Sequence, residues 1–296
     1  MRVLHFRNLS NTAYCISRAE RKLGFESYVA NVKGADVFGF DYDFIIEEKS
    51  LDHLVRLLNN FDVYHLHSGD ILPKAIDCII LKLLGKKVIH HYWGSDVRGR
   101  KPPSLHYLAD VRIVHNLDLL PFVPDAQYIP IPVDLAVWKP NPRIKRKKGD
   151  SIVILHMPSN PYIKGTKSVI NAVKRLKREG YHIKLLGLSN VPHKDMYRYY
   201  SQADIVVDQL LIGWYGRTTL EAMAMEKPVC VYVREDLEPY LPLHPYMNAN
   251  PTNIFEKLKT LVEDEGLRKE LGAKGREFCR EIHDSMKIAR QIVSYY

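Results

Sequence analysis

Cysteine is scarce in this chain. The four present (Cys15, Cys78, Cys230 and Cys279) lie far apart with no C-x-x-C spacing. That scarcity excludes a disulfide framework and a cysteine-based zinc site, and fits reduced structural thiols. Long apolar runs are also missing: none reaches the roughly 18 residues that a membrane-crossing helix needs. The opening decapeptide MRVLHFRNLS has charge and an asparagine where a secretory signal needs an apolar stretch, so a cytoplasmic location is expected. Zinc-finger spacing and RNP-type aromatic signatures are absent too, which leaves nucleic-acid binding without a motif. No repeat or low-complexity tract is visible.

What is present is a globular composition, 46% hydrophobic and 26% charged over 296 residues. A chain of this length has material for two cores. Its formal charge of +9 favours an anionic partner, and part of it is concentrated in the run Arg143-Ile-Lys-Arg-Lys-Lys148. A block of that kind also serves simply as a solvated linker.

Short apolar runs alternate with amphipathic ones. Strands are expected at Val3 to Phe6, Ser27 to Val32, Val63 to Leu66, Val88 to Tyr92, Val111 to His115 and Tyr128 to Ile131. Helices are expected at Ala13 to Leu23, Leu51 to Asn59 and Pro73 to Leu84. After the proline-broken segment from Trp138 a second alternation begins, with strands at Ile152 to His156, His182 to Leu186, Ile205 to Asp208 and Val229 to Val233. The helices between them span Gly165 to Glu179, Lys194 to Gln202 and Thr218 to Met225. Alternation of this type specifies an α/β fold, two doubly wound parallel sheets with helices on both faces. Such sheets bind ligands beyond the carboxyl ends of their strands, so two of them are expected to face a central cleft.

Three stretches of the second half satisfy that placement: His156-Met-Pro-Ser-Asn-Pro-Tyr-Ile-Lys164-Gly-Thr166, then Asp208-Gln209, then Gly213-Trp-Tyr-Gly-Arg-Thr-Thr-Leu-Glu-Ala-Met-Ala224. In the last, Gly213 and Gly216 allow close backbone approach, and the amides of Gly216, Arg217, Thr218 and Thr219 fall at a helix start, a natural anion site. Arg217 adds a fixed charge suited to phosphate. The same residues also contain a capping box, Thr218-x-x-Glu221, which would need no ligand at all.

This order of motifs, with YHLH at Tyr64 to His67, HHYWGSDVRG at His90 to Gly99, YIPIPVDLAVWKP at Tyr128 to Pro140 and the final EIHDSMKIARQIVSYY, resembles glycosyltransferase family 4 over nearly the whole chain. That family comprises retaining nucleotide-sugar transferases of the GT-B fold, with two Rossmann-like domains. The resemblance implies an acceptor domain over 1–137, a basic linker over 138–150, a nucleotide-sugar domain over 151–280 and a last helix over 281–296 that crosses back to the first domain. It gives Lys164 contact with the donor diphosphate, and Glu221 contact with the donor ribose. Lys164 and Arg217 are then the catalytic pair, stabilising the charge that develops as the diphosphate departs. The donor is a UDP- or GDP-linked sugar acting as co-substrate, with no cofactor and no metal.

The chain departs from the family pattern at two positions. Gly213 stands where an acid usually holds the donor sugar, and Pro158 where an arginine is common. Asp208 and Gln209, with Gly213, Trp214 and Tyr215 around them, are the substitutes at hand for the sugar, and Arg217 or Arg98 for the charge. On the acceptor side the candidates are Asn8, Asn11, His91, Trp93, Ser95 and Asp96; Asn8 and its neighbours serve equally as helix caps. His65 and His67 alternate on one strand, and as a metal pair they lack a third ligand.

The activity implied is glycosyl transfer with retention to an unidentified acceptor, anionic or lipid-linked in keeping with the positive charge, with peripheral membrane association and no nucleic-acid partner. Two alternatives stay open: a sugar-nucleotide epimerase of the same architecture, and a non-catalytic nucleotide-sugar-binding protein descended from a transferase.

Overall fold

A computed structural model of the chain describes residues 1–34, 38–46, 55, 57–141, 149–189 and 191–296. The basic run Arg143 to Lys148 and much of the helix expected at Leu51 to Asn59 lie outside the described residues. The chain divides into two compact units, Met1–Pro132 together with Ser285–Tyr296, and Val133–Asp284. The first boundary thus falls ahead of the one expected near 137: Trp138 is buried within the second unit, edge-on to His193 and Tyr200.

The first unit is built on β1 (Arg2–Phe6), β2 (Glu26–Val32), β3 (Phe44–Ile46), β4 (Val63–His67), β5 (Lys87–Tyr92), β6 (Val111–Val114) and β7 (Gln127–Tyr128). All pair in parallel, in the order β3-β2-β1-β4-β5-β6-β7. This is the Rossmann order with one strand added, and the order reverses between β1 and β4. Residue alternation separates the two faces of each strand. Leu4, Phe6, Tyr64 and Leu66 join one core with Cys78 and Leu81 of α2 (Ile76–Leu83). Val3, Val63, Ile89 and Ile113 join another with Ile16 of α1 (Thr12–Lys22) and Ile288 and Ile292 of the last helix, Ser285–Val293.

The second unit carries β8 (Ile152–His156), β9 (Ile183–Gly187), β10 (Ile205–Val207), β11 (Val229–Val231) and β12 (Met247–Asn248), parallel in the order β12-β11-β10-β8-β9. That is the flavodoxin-type winding, whose switch point lies between the first strand and the third, here β8 and β10. Its helices include α3 (Thr166–Arg178), α4 (Met196–Gln202), α5 (Arg217–Ala224), α6 (Ile254–Glu263) and α7 (Glu265–Ile282). The aliphatic face of α3, Val169, Ala172, Val173 and Leu176, packs with Ile154, Ile205 and Val207 of the sheet.

Helices α5 and α7 approach closely because α7 has glycines at the contact. A Cβ at Gly272 would lie 2.3 Å from the carbonyl oxygen of Glu226, and one at Gly275 would lie 2.9 Å from Cγ of Met223. Backbone cannot yield as a side chain can. Gly272→Ala is therefore expected to destabilise the protein by about 1–3 kcal/mol through overpacking, measured as a shift in the urea midpoint; unchanged stability would mean that α7 shifts freely.

Candidate functional site

The second unit's switch point assembles from two loops and one helix start. The loop after β8 ends at Gly165, whose φ of +74° makes it the left-handed N-cap of α3. A Cβ there would come 3.0 Å from Cβ of Leu210, which belongs to the loop after β10. The two loops are also joined by a backbone bond from Leu210 N to the Lys164 carbonyl, 3.3 Å. His156, at the end of β8, donates from Nδ1 to the Val207 carbonyl at 2.9 Å, so its Nε2 accepts from the Thr166 hydroxyl at 2.9 Å. Burial lowers the pKa of His156 and keeps the ring neutral in this role.

At the centre lies an ion pair. Lys164 Nζ donates to Asp208 Oδ1 at 2.7 Å, and Asp208 Oδ2 accepts from the Thr219 hydroxyl on α5, also at 2.7 Å. The aspartate is 3% exposed. Burial alone would raise its pKa; Lys164, and then Thr219, outweigh that and hold it below the ordinary carboxylate value. Lys164 and Asp208 are thus brought together with the first turn of α5.

That turn begins after Gly216, and no side chain caps it. The capping-box alternative at Thr218-x-x-Glu221 does not form, because Thr218 lies inside the helix and the Glu221 carboxylate turns away. Glu221 is 1% exposed: His193 Nε2 meets its Oε1 at 2.8 Å, Tyr200 donates to Oε2 at 3.3 Å, and Arg217 Nη1 lies 3.5 Å from Oε1. Gly216, Arg217 and Thr218 stay partly exposed, whereas Thr219 is buried with its hydroxyl committed to Asp208.

The donor-sugar candidates fare differently. Gln209 spends its whole amide on the backbone, donating to the carbonyls of Trp214 (2.7 Å) and Tyr232 (2.6 Å) and accepting from the amides of Leu211 (3.0 Å) and Ile212 (2.6 Å). It holds the loop and offers nothing to a sugar. Trp214 and Tyr215 are buried and stacked with ring centroids 4.7 Å apart, and the Tyr215 hydroxyl is 3.2 Å from His283 Nε2. Both belong to the core of the unit rather than to a ligand surface. Gly213 has a physical reason of its own: its φ is +85°, and a Cβ there would lie 2.5 Å from Cγ of Arg234. No acid fits without moving that arginine. Arg234, two fork bonds to Asp236 at 2.9 and 2.6 Å, is a cation beside this loop that sequence reading overlooked. Its only signal was its place just after β11.

In the first unit, Asn8 is buried and donates to Asn11 Oδ1 (2.9 Å) and the Asp41 carbonyl (2.6 Å), while its own oxygen receives the Tyr14 amide (3.3 Å). Asn8 thus spends its side chain on protein partners, among them the third amide of α1, while Asn11 at the N-cap of that helix makes no side-chain cap. Asp96 accepts the amides of Trp93 and Gly94, closing a turn. Ser95 is exposed, and its carbonyl receives Arg100. His91 is buried, and burial pushes its pKa down to about 3. Arg98 pairs with Asp118 at 2.7 Å, so it is not a free replacement for the charge missing at Pro158. Asn8, His91 and Asp96 are therefore structural where acceptor contacts were expected.

Residues 166–294 match the family model described as glycosyl transferase-like. Whole-chain similarity extends to solved structures. Sucrose-phosphate synthase from Thermosynechococcus elongatus superposes with a TM-score of 0.68 at 14% identity, covering 100% of this chain and 98% of that one. HepE of Anabaena, solved in complex with UDP, gives 0.68 at 13% identity with 99% of each chain covered. An alpha-glucosyltransferase solved with UDP and a mismatched DNA gives 0.70 at 14% identity, again over 99% of each. The chain has the GT-B fold of these structures. No curated protein sequence matches it. The family match covers α3 to the last helix, and so includes Asp208, Thr219 and the uncapped turn of α5.

Asp208→Asn is expected to cost about 2 kcal/mol at pH 7, the usual worth of a hydrogen bond to a charged group. Because the folded pKa of Asp208 is depressed, its contribution is complete above the ordinary value of 3.8 and is lost as pH falls through the folded value. The stability gap between wild type and variant, from urea unfolding at stepped pH, should close below pH 3.8. A gap constant to the most acid pH would contradict an ionised Asp208.

Proposed function

We propose that this protein is a glycosyltransferase that moves a sugar from a nucleotide diphosphate sugar, with retention at the anomeric carbon. The observation that carries the reading is the uncapped first turn of α5 with Arg217 on it, tied through Thr219 and Asp208 to Lys164. Amides at a helix N-terminus and two cations suit a diphosphate. UDP is the donor nucleotide we favour, in line with the UDP found on HepE and on the alpha-glucosyltransferase.

On donor binding, the Lys164 ammonium leaves Asp208 for the diphosphate, and Asp208 keeps its bond from Thr219. As the glycosidic C–O bond breaks, negative charge grows on the leaving phosphate oxygen. Lys164, Arg217 and the Gly216 and Thr218 amides stabilise it without reorganising. The departing phosphate takes the acceptor's proton, so no protein base is required. Glu221 serves the ribose by exchanging its His193 contact for sugar hydroxyls. With no acid at Gly213, the sugar's remaining hydroxyls are met by Asp208. Exposed Tyr162 and Ile163 after β8, and Leu211 and Ile212 after β10, flank the ion pair with apolar surface. That surface favours an acceptor with an apolar portion, as a lipid-linked glycan has. Among the described residues no helix is long and apolar enough to cross a membrane.

The test is turnover with a panel of UDP- and GDP-sugars, read as nucleotide released on addition of lipid-linked and soluble acceptors. Lys164→Ala should lower the rate by about 100-fold or more, the worth of one donor to a developing oxyanion, with the fold intact by circular dichroism. Full turnover in Lys164→Ala would overturn the assignment. Interconversion of the sugar would indicate an epimerase, and binding without turnover a non-catalytic receptor.

A further inference from the structure

The first unit has its own switch point, between β1 and β4, and histidines fill it. His5 and His65 are register partners on those strands, His67 follows two residues on, and His67 is in register with His91 of β5. By alternation these rings share the face of Val3 and Val63. His5, His65 and His67 are each 0% exposed, and each presents a ring nitrogen within 4.8 Å of the others.

Hydrogen-bond accounting leaves two nitrogens over. Glu20 Oε2 lies 2.8 Å from His5 Nε2, and Tyr296 donates to the other oxygen of Glu20. His5 Nδ1 is 3.0 Å from His67 Nε2, and His65 Nε2 is 3.2 Å from His91 Nδ1. Nδ1 of His65 and Nδ1 of His67 have no partner, although both are buried. A buried polar atom left without a partner is destabilising. Two of them, on rings stacked with centroids 4.3 Å apart, are unusual in a packed core that offers apolar alternatives at the same positions.

We propose that His5, His65 and His67 form a buried site for one zinc-type divalent cation, held through three imidazole nitrogens and steadied by Glu20 behind His5. Imidazole is a ligand suited to zinc, copper and nickel. Neutral rings are the ligating form, and burial lowers the pKa of both His65 and His67. A carboxylate behind a ligating histidine fixes its tautomer and returns one negative charge to an otherwise neutral ligand set. Burial by itself would raise the pKa of Glu20; His5, Ser27 and Tyr296 outweigh that, so Glu20 is ionised. Binding requires the stacked rings of His65 and His67 to turn toward one another about their side-chain torsions. A second cluster, Asp70, His90 and His106, is a weaker host: His106 already bridges Asp70 (2.8 Å) and the Tyr92 hydroxyl (3.0 Å), and His90 Nε2 meets Cys78 Sγ at 3.0 Å.

The experiment uses the full chain, stripped of metal in denaturant and refolded with Zn2+ or Co2+, beside native protein assayed for bound metal. One equivalent should bind, Co2+ should show the visible ligand-field bands of a nitrogen site, and Zn2+ should raise Tm. His67→Gln and His65→Asn should each abolish stoichiometric binding, Glu20→Gln should weaken it by about 10- to 100-fold, and His106→Gln should leave it unchanged. No bound metal and no Co2+ bands in the wild type would overturn the proposal, whatever the variants do. Binding that survives His67→Gln, or is lost with His106→Gln, would overturn it as well.

Discussion

The second unit turns on a buried lysine–aspartate pair at the point where its strand order reverses. Asp208 follows β10, Lys164 lies in the loop after β8, and Thr219 lies in the first turn of α5, so one carboxylate ties together two loops and a helix. Buried ion pairs are poor sources of net stability, because desolvation consumes most of the Coulomb gain. Their value is directional: this one holds an ammonium beside an uncapped helix start. The same pair that organises the unbound site is one that an anionic ligand can compete for.

Around that pair the neighbouring residues divide between scaffold and contact. Gln209 pins its loop with four backbone bonds, and the stacked Trp214 and Tyr215 fill the space beneath. Gly213 illustrates how a departure from a family pattern acquires a cause. Its positive φ disfavours any side chain, and the Arg234 side chain packed against it would have to move to admit an acid.

The alternation of strands and helices was legible because apolar periodicity follows burial directly: β1, β4, β5 and β8 lie where the pattern put them. The short edge strands β3 and β12 escaped notice, having too few residues to show a period. That Lys164, Asp208 and the start of α5 come together was legible from their places after strands. Whether a polar side chain faces a ligand or the backbone was not. Asn8, Asp96 and Gln209 have the right chemistry for contact, yet local hydrogen bonds claim them, and such bonds depend on loop geometry that spacing does not encode. Likewise His65 and His67 lacked a third partner in sequence. Strand pairing supplies it, since His5 is distant along the chain and adjacent across the sheet.

The most direct test of the central claim is a crystal structure of the protein soaked with UDP or a UDP-sugar. The diphosphate should lie against the amides of Gly216 to Thr218 and the Arg217 guanidinium, with Lys164 Nζ moved from Asp208 onto a phosphate oxygen. A nucleotide bound elsewhere, or one bound there with the Lys164–Asp208 pair intact, would contradict it.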